Sequence, residues 1–218
     1  MIKNVNVIGS GRVGSAIAAR LRERGVPVAG DAELVLLCVP DSSIADVARE
    51  VPVGPWIAHV SGATTLGALD PHERRFAMHP RQTFTRSGDP CQLDGAYAAV
   101  TAGSDPAREM GFWLAQTLGL APFDLRDDAR PLYHAGAAIA SNYLVTLHAI
   151  AARLFAAVGA PVEGLEPLMR RTIDNGFEPT GPLERGDWAT VEAHRRAIRE
   201  AAPELETVYD VLAEATAR

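Results

Sequence analysis

The chain opens on a short apolar run, Val5-Asn-Val-Ile8, which breaks at Gly9 and gives way to apolar positions at helical spacing, Val13, Ile17 and Leu21. That order predicts a buried strand, a tight turn and an amphipathic helix. Arg20, Arg22 and Arg24 fall in the last helical turn, where cations suit the helix dipole, and Gly25 offers a stop. Leu34-Val-Leu-Leu-Cys-Val-Pro40 is apolar throughout and predicts a strand buried on both faces. The stretch between, Val26–Glu33, is too short for a second parallel strand with its crossover of roughly a dozen residues, so it reads as a loop. Asp41, Ser42 and Ser43 offer N-caps for a helix over Ile44–Glu50, and Trp56–Val60 reads as the next strand. A further turn-and-helix unit leads to a strand at Arg75–Met78 that ends in His79-Pro80. Ala96–Thr101, Pro106–Leu118 and Ala121–Leu125 continue as strand, helix and strand.

Beyond about Ala129 the alternation stops and the spacing is helical. A candidate helix over Pro131–Val158 would span about 40 Å. It is dressed on two sides: Ile139, Tyr143, Leu147, Ile150 and Leu154 form one apolar stripe, and His134, Ala138, Ser141, Val145 and His148 lie opposite. Such a helix is expected to be buried between two layers and to form a dimer contact. Asn142, His148 and Arg153 interrupt it, which argues against a membrane span. Pro161–Asn175 is a second helix. Thr180–Asp187 breaks the pattern, Asp187 caps a helix running through His194, and Pro203–Ala215 closes the chain. The expected fold is α/β followed by all-α: residues 1–126 carry a shortened, mostly parallel sheet, and 127–218 form a helical domain.

Composition narrows the function without naming it. The 218 residues are 47% hydrophobic with formal net charge -6, which supplies ample core and argues against nucleic acid or an anionic membrane as the main partner. Cys38 and Cys91 form no C-x-x-C, and Met1-Ile-Lys-Asn leads straight into the first strand, so a reduced, cytoplasmic setting is expected. Lys3 is the only lysine, which leaves a Schiff-base mechanism without an internal candidate.

Gly9, Gly11 and Gly14 fit G-x-G-x-x-G, the turn that brings a backbone close to a pyrophosphate. Ser10, Arg12 and Val13 belong to the same turn. In parallel sheets ligands collect beyond the carboxyl ends of strands, so Gly9, Val39-Pro40, His59 with Ser61, and His79 should share one rim. His59, His79 and Asn142 are the candidate catalytic residues. Histidine has the most suitable unperturbed pKa for proton transfer, which favours His79 as donor. No pair among His59, His79 and His134 has metal-ligand spacing, and no G-x-S-x-G supports a serine hydrolase. His72 and His194 read as solvent-facing or helix-surface residues. Arg185 and Asp187 read either as an ion pair pinning a loop or as an anion site.

Gly9-Ser-Gly-Arg-Val-Gly14, Val39-Pro-Asp41, His59-Val-Ser-Gly62, His79-Pro-Arg-Gln-Thr-Phe84, Ser141-Asn142 and Thr180-Gly-Pro-Leu-Glu-Arg-Gly-Asp187, with His194 following, together resemble a bacterial family of NADP oxidoreductases. These join a Rossmann-like domain to a helical domain of unknown function and are related to pyrroline-5-carboxylate reductase and 6-phosphogluconate dehydrogenase-like enzymes. The resemblance is nearly end to end. It implies NADP or NAD as cofactor, a small carbonyl or imine substrate in a cleft between the domains, and a homodimer. The chain departs from the family where a second strand, helix and third strand should follow the first helix. That loss falls on the adenosine half of the expected site. The position one turn before Asn142 is Ala138, not the catalytic lysine of the hydroxyacid dehydrogenases, so their mechanism does not transfer. The competing expectation is a non-catalytic nucleotide-binding or interaction protein with a degenerate Rossmann site.

Overall fold

The computed structural model describes residues 2–217. Two compact units divide between Ile139 and Ala140. In the first, β1 (Val5–Ile8), β2 (Leu34–Leu37), β3 (Trp56–His59), β4 (Arg75–Arg81), β5 (Tyr97–Ala102) and β6 (Ala121–Asp124) lie side by side in chain order. β1 to β4 are parallel, β5 is antiparallel to β4, and β6 is parallel to β5. This is the shortened, mostly parallel Rossmann-like sheet that the sequence predicts. In a complete doubly wound unit the first strand lies inside the sheet. Here β1 is an edge, and Val26–Glu33 contributes a single bridge from Val28 to Val5.

The sheet is covered on both faces because strand side chains alternate. Leu34, Leu36, Phe76, Met78 and Val100 pack with Ile17 and Leu21 of α1 (Arg12–Glu23) and Leu114 of α3 (Asp105–Thr117). Val35, Leu37, Ile57 and Ala77 pack with Ile44 and Ala48 of α2 (Ile44–Glu50). α3 starts where its sequence says, since Ser104 accepts from the Ala107 N–H and Pro106 sits in the first turn. Arg20 does more than complement a helix dipole. It is buried and donates to Asp94 at 2.6 Å and to the Pro90 carbonyl at 2.7 Å, tying α1 to the segment before β5.

Three local expectations are corrected. β3 and β4 are joined by one 3-10 turn, Leu66–Leu69, and not by a helix; the Asp127 carboxylate accepts its first N–H, from Leu66, at 2.9 Å. Asp41, Ser42 and Ser43 do not cap α2 but form a 3-10 turn leading into it. β4 does not stop at Met78 but runs on through His79 and Pro80. Beyond Ala77 it pairs with β5 alone, so the missing N–H of Pro80 interrupts no central ladder.

α4 (Arg130–Ala138) belongs to the sheet unit, although the change of composition near Arg126 marks where helix replaces strand. The predicted long helix is present but holds a π turn at Ile139–Tyr143 before α5 (Leu144–Ala157). α5, α6 (Leu165–Asp174), α7 (Trp188–Ala201) and α8 (Glu206–Thr216) make the second unit. Asp187 caps α7 by accepting from the Thr190 N–H. The core here is small: Ile198, Ala202 and Leu205, with Ile150, Leu154, Val208 and Tyr209 against them. In the single chain the long helix is not buried between layers, for Ile139, Tyr143 and Val145 are exposed and α5 has no buried residue. The run Asp127–Ala157, at 31 residues and hydropathy 1.3, is long and apolar enough to cross a membrane by length and composition.

Two glycine substitutions separate packing from ligand space. A Cβ on Gly14 would overlap the Gly9 carbonyl, so Gly14→Ala is expected to cost about 1–3 kcal/mol. Gly11 has nothing within 4 Å of its Cβ position, so Gly11→Ala should stay within about 1 kcal/mol of the parent, as read by urea unfolding.

Candidate functional site

The strand register aligns Ile8, Leu37, His59 and Ala77. Gly9, Val39, Pro40 and Ser61 follow that line, and His79 stands two residues beyond it on β4, so the predicted residues of the sheet unit share one rim. Gly9 has φ 111°, and a Cβ there would collide with the Cys38 carbonyl. The turn is thereby held tight against β2. Ser10, Gly11 and Arg12 are exposed, and the Ser10 carbonyl accepts from Ser15 at 3.0 Å. The outer side of Gly11 is open, and α1 begins beside it with the unsatisfied N–H groups that every helix start presents. That combination suits phosphate oxygens.

Asp31, the acid at the sequence distance that would suit a ribose, is elsewhere. Its carbonyl accepts from the Asn4 side chain at 2.6 Å, and that of Gly30 from Asn6 at 3.1 Å. Asn4 precedes β1, which puts Asp31 at the amino end of the sheet, opposite the glycine turn.

His59 and His79 follow Ile57 and Ala77 by two residues and project to the α2 face. The apolar core of that face therefore ends in a polar layer. His59 is fully buried, and neither ring nitrogen makes a hydrogen bond with the described residues. Above lies Arg130, also fully buried, which donates to the Thr64 carbonyl at 2.6 Å, to Thr101 Oγ1 at 2.8 Å and to the Ser61 carbonyl. Ser61 in turn donates to Asp41 at 2.7 Å. Tyr133 and His134 lie on the same turn of α4. The His79 Nδ1 is 3.1 Å from the Tyr133 hydroxyl, and the His79 and His134 rings meet edge to face at 5.8 Å. Gly62 makes this closeness possible: a Cβ there would overlap His134 and lie 3.0 Å from His79 Nε2.

Burial first, and then the positive charge of Arg130, push the His59 pKa down to about 4. Burial also brings His79 to about 4, helped by His134 and Arg130 and opposed by Asp41. Both are neutral at pH 7. At that pH His79 holds no imidazolium proton to give, and its ring nitrogen can accept a hydrogen bond. Burial raises the Tyr133 pKa, so its phenol stays protonated.

Asn142 sits in the π turn of the second unit, exposed, and accepts from Ser141 at 3.2 Å. His72 is corrected from surface to core, buried with Nε2 2.9 Å from the Ala48 carbonyl. His194 is a helix-surface residue, 2.9 Å from the Tyr209 hydroxyl. No ion pair joins Arg185 and Asp187 among the described residues; Arg185 holds the Thr180 carbonyl while Asp187 caps α7. No group of three metal-ligating side chains occurs among the described residues. The sequence reading missed Arg130 and Tyr133, and it quoted Gly62 in His59-Val-Ser-Gly62 without giving it a role. A signal was present, since Arg130, Tyr133 and His134 stand at i, i+3 and i+4 on one helix face.

Residues 96–216 match the family described as a domain of unknown function, DUF2520. No curated protein matches the chain. Among solved structures, a proposed NADP oxidoreductase from Bacteroides fragilis superposes with TM-score 0.83 at 19% identity, over 99% of this chain and 98% of that one. A Thermotoga maritima protein gives 0.79 at 22%, over 97% and 96%. A reductive aminase from Aspergillus terreus, in complex with NADPH and ethyl levulinate, gives 0.68 at 17%, over 99% and 93%. At these identities the likeness establishes the fold.

The two depressed histidines make stability depend on pH. Between the folded pKa of about 4 and the unfolded value of 6.5 the unfolded chain binds more protons, so stability is full above about 6.5 and is lost as pH falls toward 4. Each contributes up to about 1.4 kcal/mol per pH unit in that window. Urea unfolding at pH 7 and 5 should show the fall, and His79→Gln should reduce the slope by roughly half.

Proposed function

The chain belongs to the DUF2520 family, and from that premise we propose that it is an NAD(P)-dependent oxidoreductase of a small carbonyl or imine compound. The observation that carries this reading is an open glycine turn on the same rim as two neutral histidines, His59 buried and His79 half-buried. Ser10, Gly11 and Arg12 with the start of α1 would hold the pyrophosphate, and Gly9 and Gly14 keep the turn in shape; Val13, Val39, Pro40 and Ser61 line the way toward His79. A bound nicotinamide would supply or accept a hydride. This chain's part is to position it and to move a proton at His79. His59, which is sealed from solvent, contributes a neutral wall. The likeness to a reductive aminase crystallised with NADPH and ethyl levulinate supports the carbonyl or imine class. A cytoplasmic setting goes with two unpaired cysteines and with such a cofactor.

Asp31 at the far end of the sheet favours a second reading, a nucleotide-binding protein without turnover. Calorimetric titration with NADPH, NADH and nicotinamide mononucleotide separates the two, together with turnover over aldehydes, ketones and imines. Binding dominated by the pyrophosphate and nicotinamide portion is expected. Gly11→Ala, which leaves folding intact, should weaken NADPH at least tenfold; unchanged affinity would remove the turn from the site.

The homodimer is part of the proposal. A second copy is the occupant that suits the exposed residues Tyr143, Val145 and Leu147, because the second unit buries so little core of its own. Sedimentation of the parent at micromolar concentration should give a dimer, and Val145→Glu a monomer. A monomeric parent, or one that sediments only with detergent, would overturn it.

A further inference from the structure

We propose that Tyr133 is the proton-transferring residue of this rim, meeting the oxygen or nitrogen of the substrate's carbonyl or imine group, with His79 as its hydrogen-bonded partner. The inference deepens the oxidoreductase reading and rests on it. Tyr133 is held by two neighbours. His79 Nδ1 stands 3.1 Å from its hydroxyl, its ring meets the His79 ring edge to face at 5.6 Å, and Phe123 of β6 packs on it at 6.0 Å. A phenol hydroxyl has one proton to give and room for two to receive. His79 is the only hydrogen-bond partner of this one among the described residues, so part of its capacity is free for a ligand.

The charged and titratable groups around the pair fix the direction of transfer. Arg130 and His134 approach from α4, Arg81 from the end of β4, and Asp41 from the turn after β2. Burial first, aided by Arg130 and Arg81 against the single carboxylate of Asp41, keeps His79 neutral, which leaves Nδ1 able to accept a hydrogen bond. In the oxidative direction, the O–H or N–H bond of the substrate breaks and its proton passes to the Tyr133 oxygen. The phenol's own proton leaves to solvent through the hydrogen bond to His79 Nδ1, which relays it and does not hold it, because burial disfavours an imidazolium there. The hydrogen on carbon, with its electron pair, belongs to the nicotinamide dinucleotide of the oxidoreductase reading. Reduction runs the same transfers backwards. Gly62 is required because a Cβ there would overlap the His134 ring on α4 and press on the His79 ring of β4.

The test uses the full chain, Tyr133→Phe and His79→Gln. Nitrogen-15 spectra of the imidazoles read the His79 tautomer, and ultraviolet difference titration reads the phenols. Tyr133→Phe should shift the His79 Nδ1 resonance while leaving the melting temperature and the NADPH dissociation constant unchanged. It should lower kcat about 100-fold for whichever of pyruvate, acetone, cyclohexanone and their methylamine imines the parent reduces with NADPH. An unmoved His79 resonance would overturn the pair, and full turnover by Tyr133→Phe would overturn its chemical role alone. A parent that binds NADPH but reduces none of these probes would overturn the carbonyl and imine assignment. A parent that fails to bind NADPH would sink the oxidoreductase reading, and with it a chemical role for a pair that still couples in the spectra.

Discussion

The guanidinium of Arg130 is the constraint on which the rest of the rim depends. A buried cation costs several kcal/mol unless its donors are satisfied, and here two carbonyls and a hydroxyl do that, with no carboxylate among the described residues within ion-pairing distance. The three acceptors come from separate places, Ser61 and Thr64 after β3 and Thr101 on β5. One side chain therefore fixes the height of α4 over the sheet and the course of the loop that carries Gly62. Ser61 passes the constraint on to Asp41, which brings the turn after β2 into the same network. Burial is what chiefly keeps His59 and His79 neutral, and the charge that locks the loop adds to it.

Much of this unit is legible in the sequence because it is local. Continuous apolar runs mark β2 and β3, Ser104-Asp-Pro106 marks the start of α3, and the brevity of Val26–Glu33 excludes another strand. The rest depends on partners more than sixty residues apart, such as Arg130 with Ser61 and Asp127 with Leu66. An arginine in a helix reads as solvent-facing by pattern alone, and His72 as surface, since nothing local announces the Ala48 carbonyl. Pro80 reads as the end of a strand until the register shows that β4 pairs there with β5 alone.

The second unit was legible in outline for the opposite reason. Its helices follow from periodicity, but periodicity reports apolar faces and not what covers them. Ile150 and Leu154 of the predicted stripe do meet α7 and α8 residues, whereas Tyr143 and Ile139, about two and three turns before Ile150, stay exposed. The π turn at Ile139–Tyr143 adds a residue to one turn and so rotates the two halves of the stripe against each other, which a strict 3.6-residue count cannot show.

The edge of the sheet carries the last consequence of the shortened topology. With no strand beyond β1, the amides of Asn4 and Asn6 reach across to the carbonyls of Asp31 and Gly30 and partly replace the missing ladder. This shields an edge that would otherwise invite pairing with another chain. It also pins Asp31 at the amino end, which empties the carboxyl end of the acidic side chain that a ribose would need. What remains beside the turn is a cleft of about 470 Å³, lined by Gly9, Ser10, Ser15, Arg22 and Val28. Its one charged side chain is a cation, so the adenosine side of this rim favours phosphate over a sugar hydroxyl. The contacts that stabilise the edge and the chemistry of the cleft are thus set by the same eight-residue loop, Val26–Glu33.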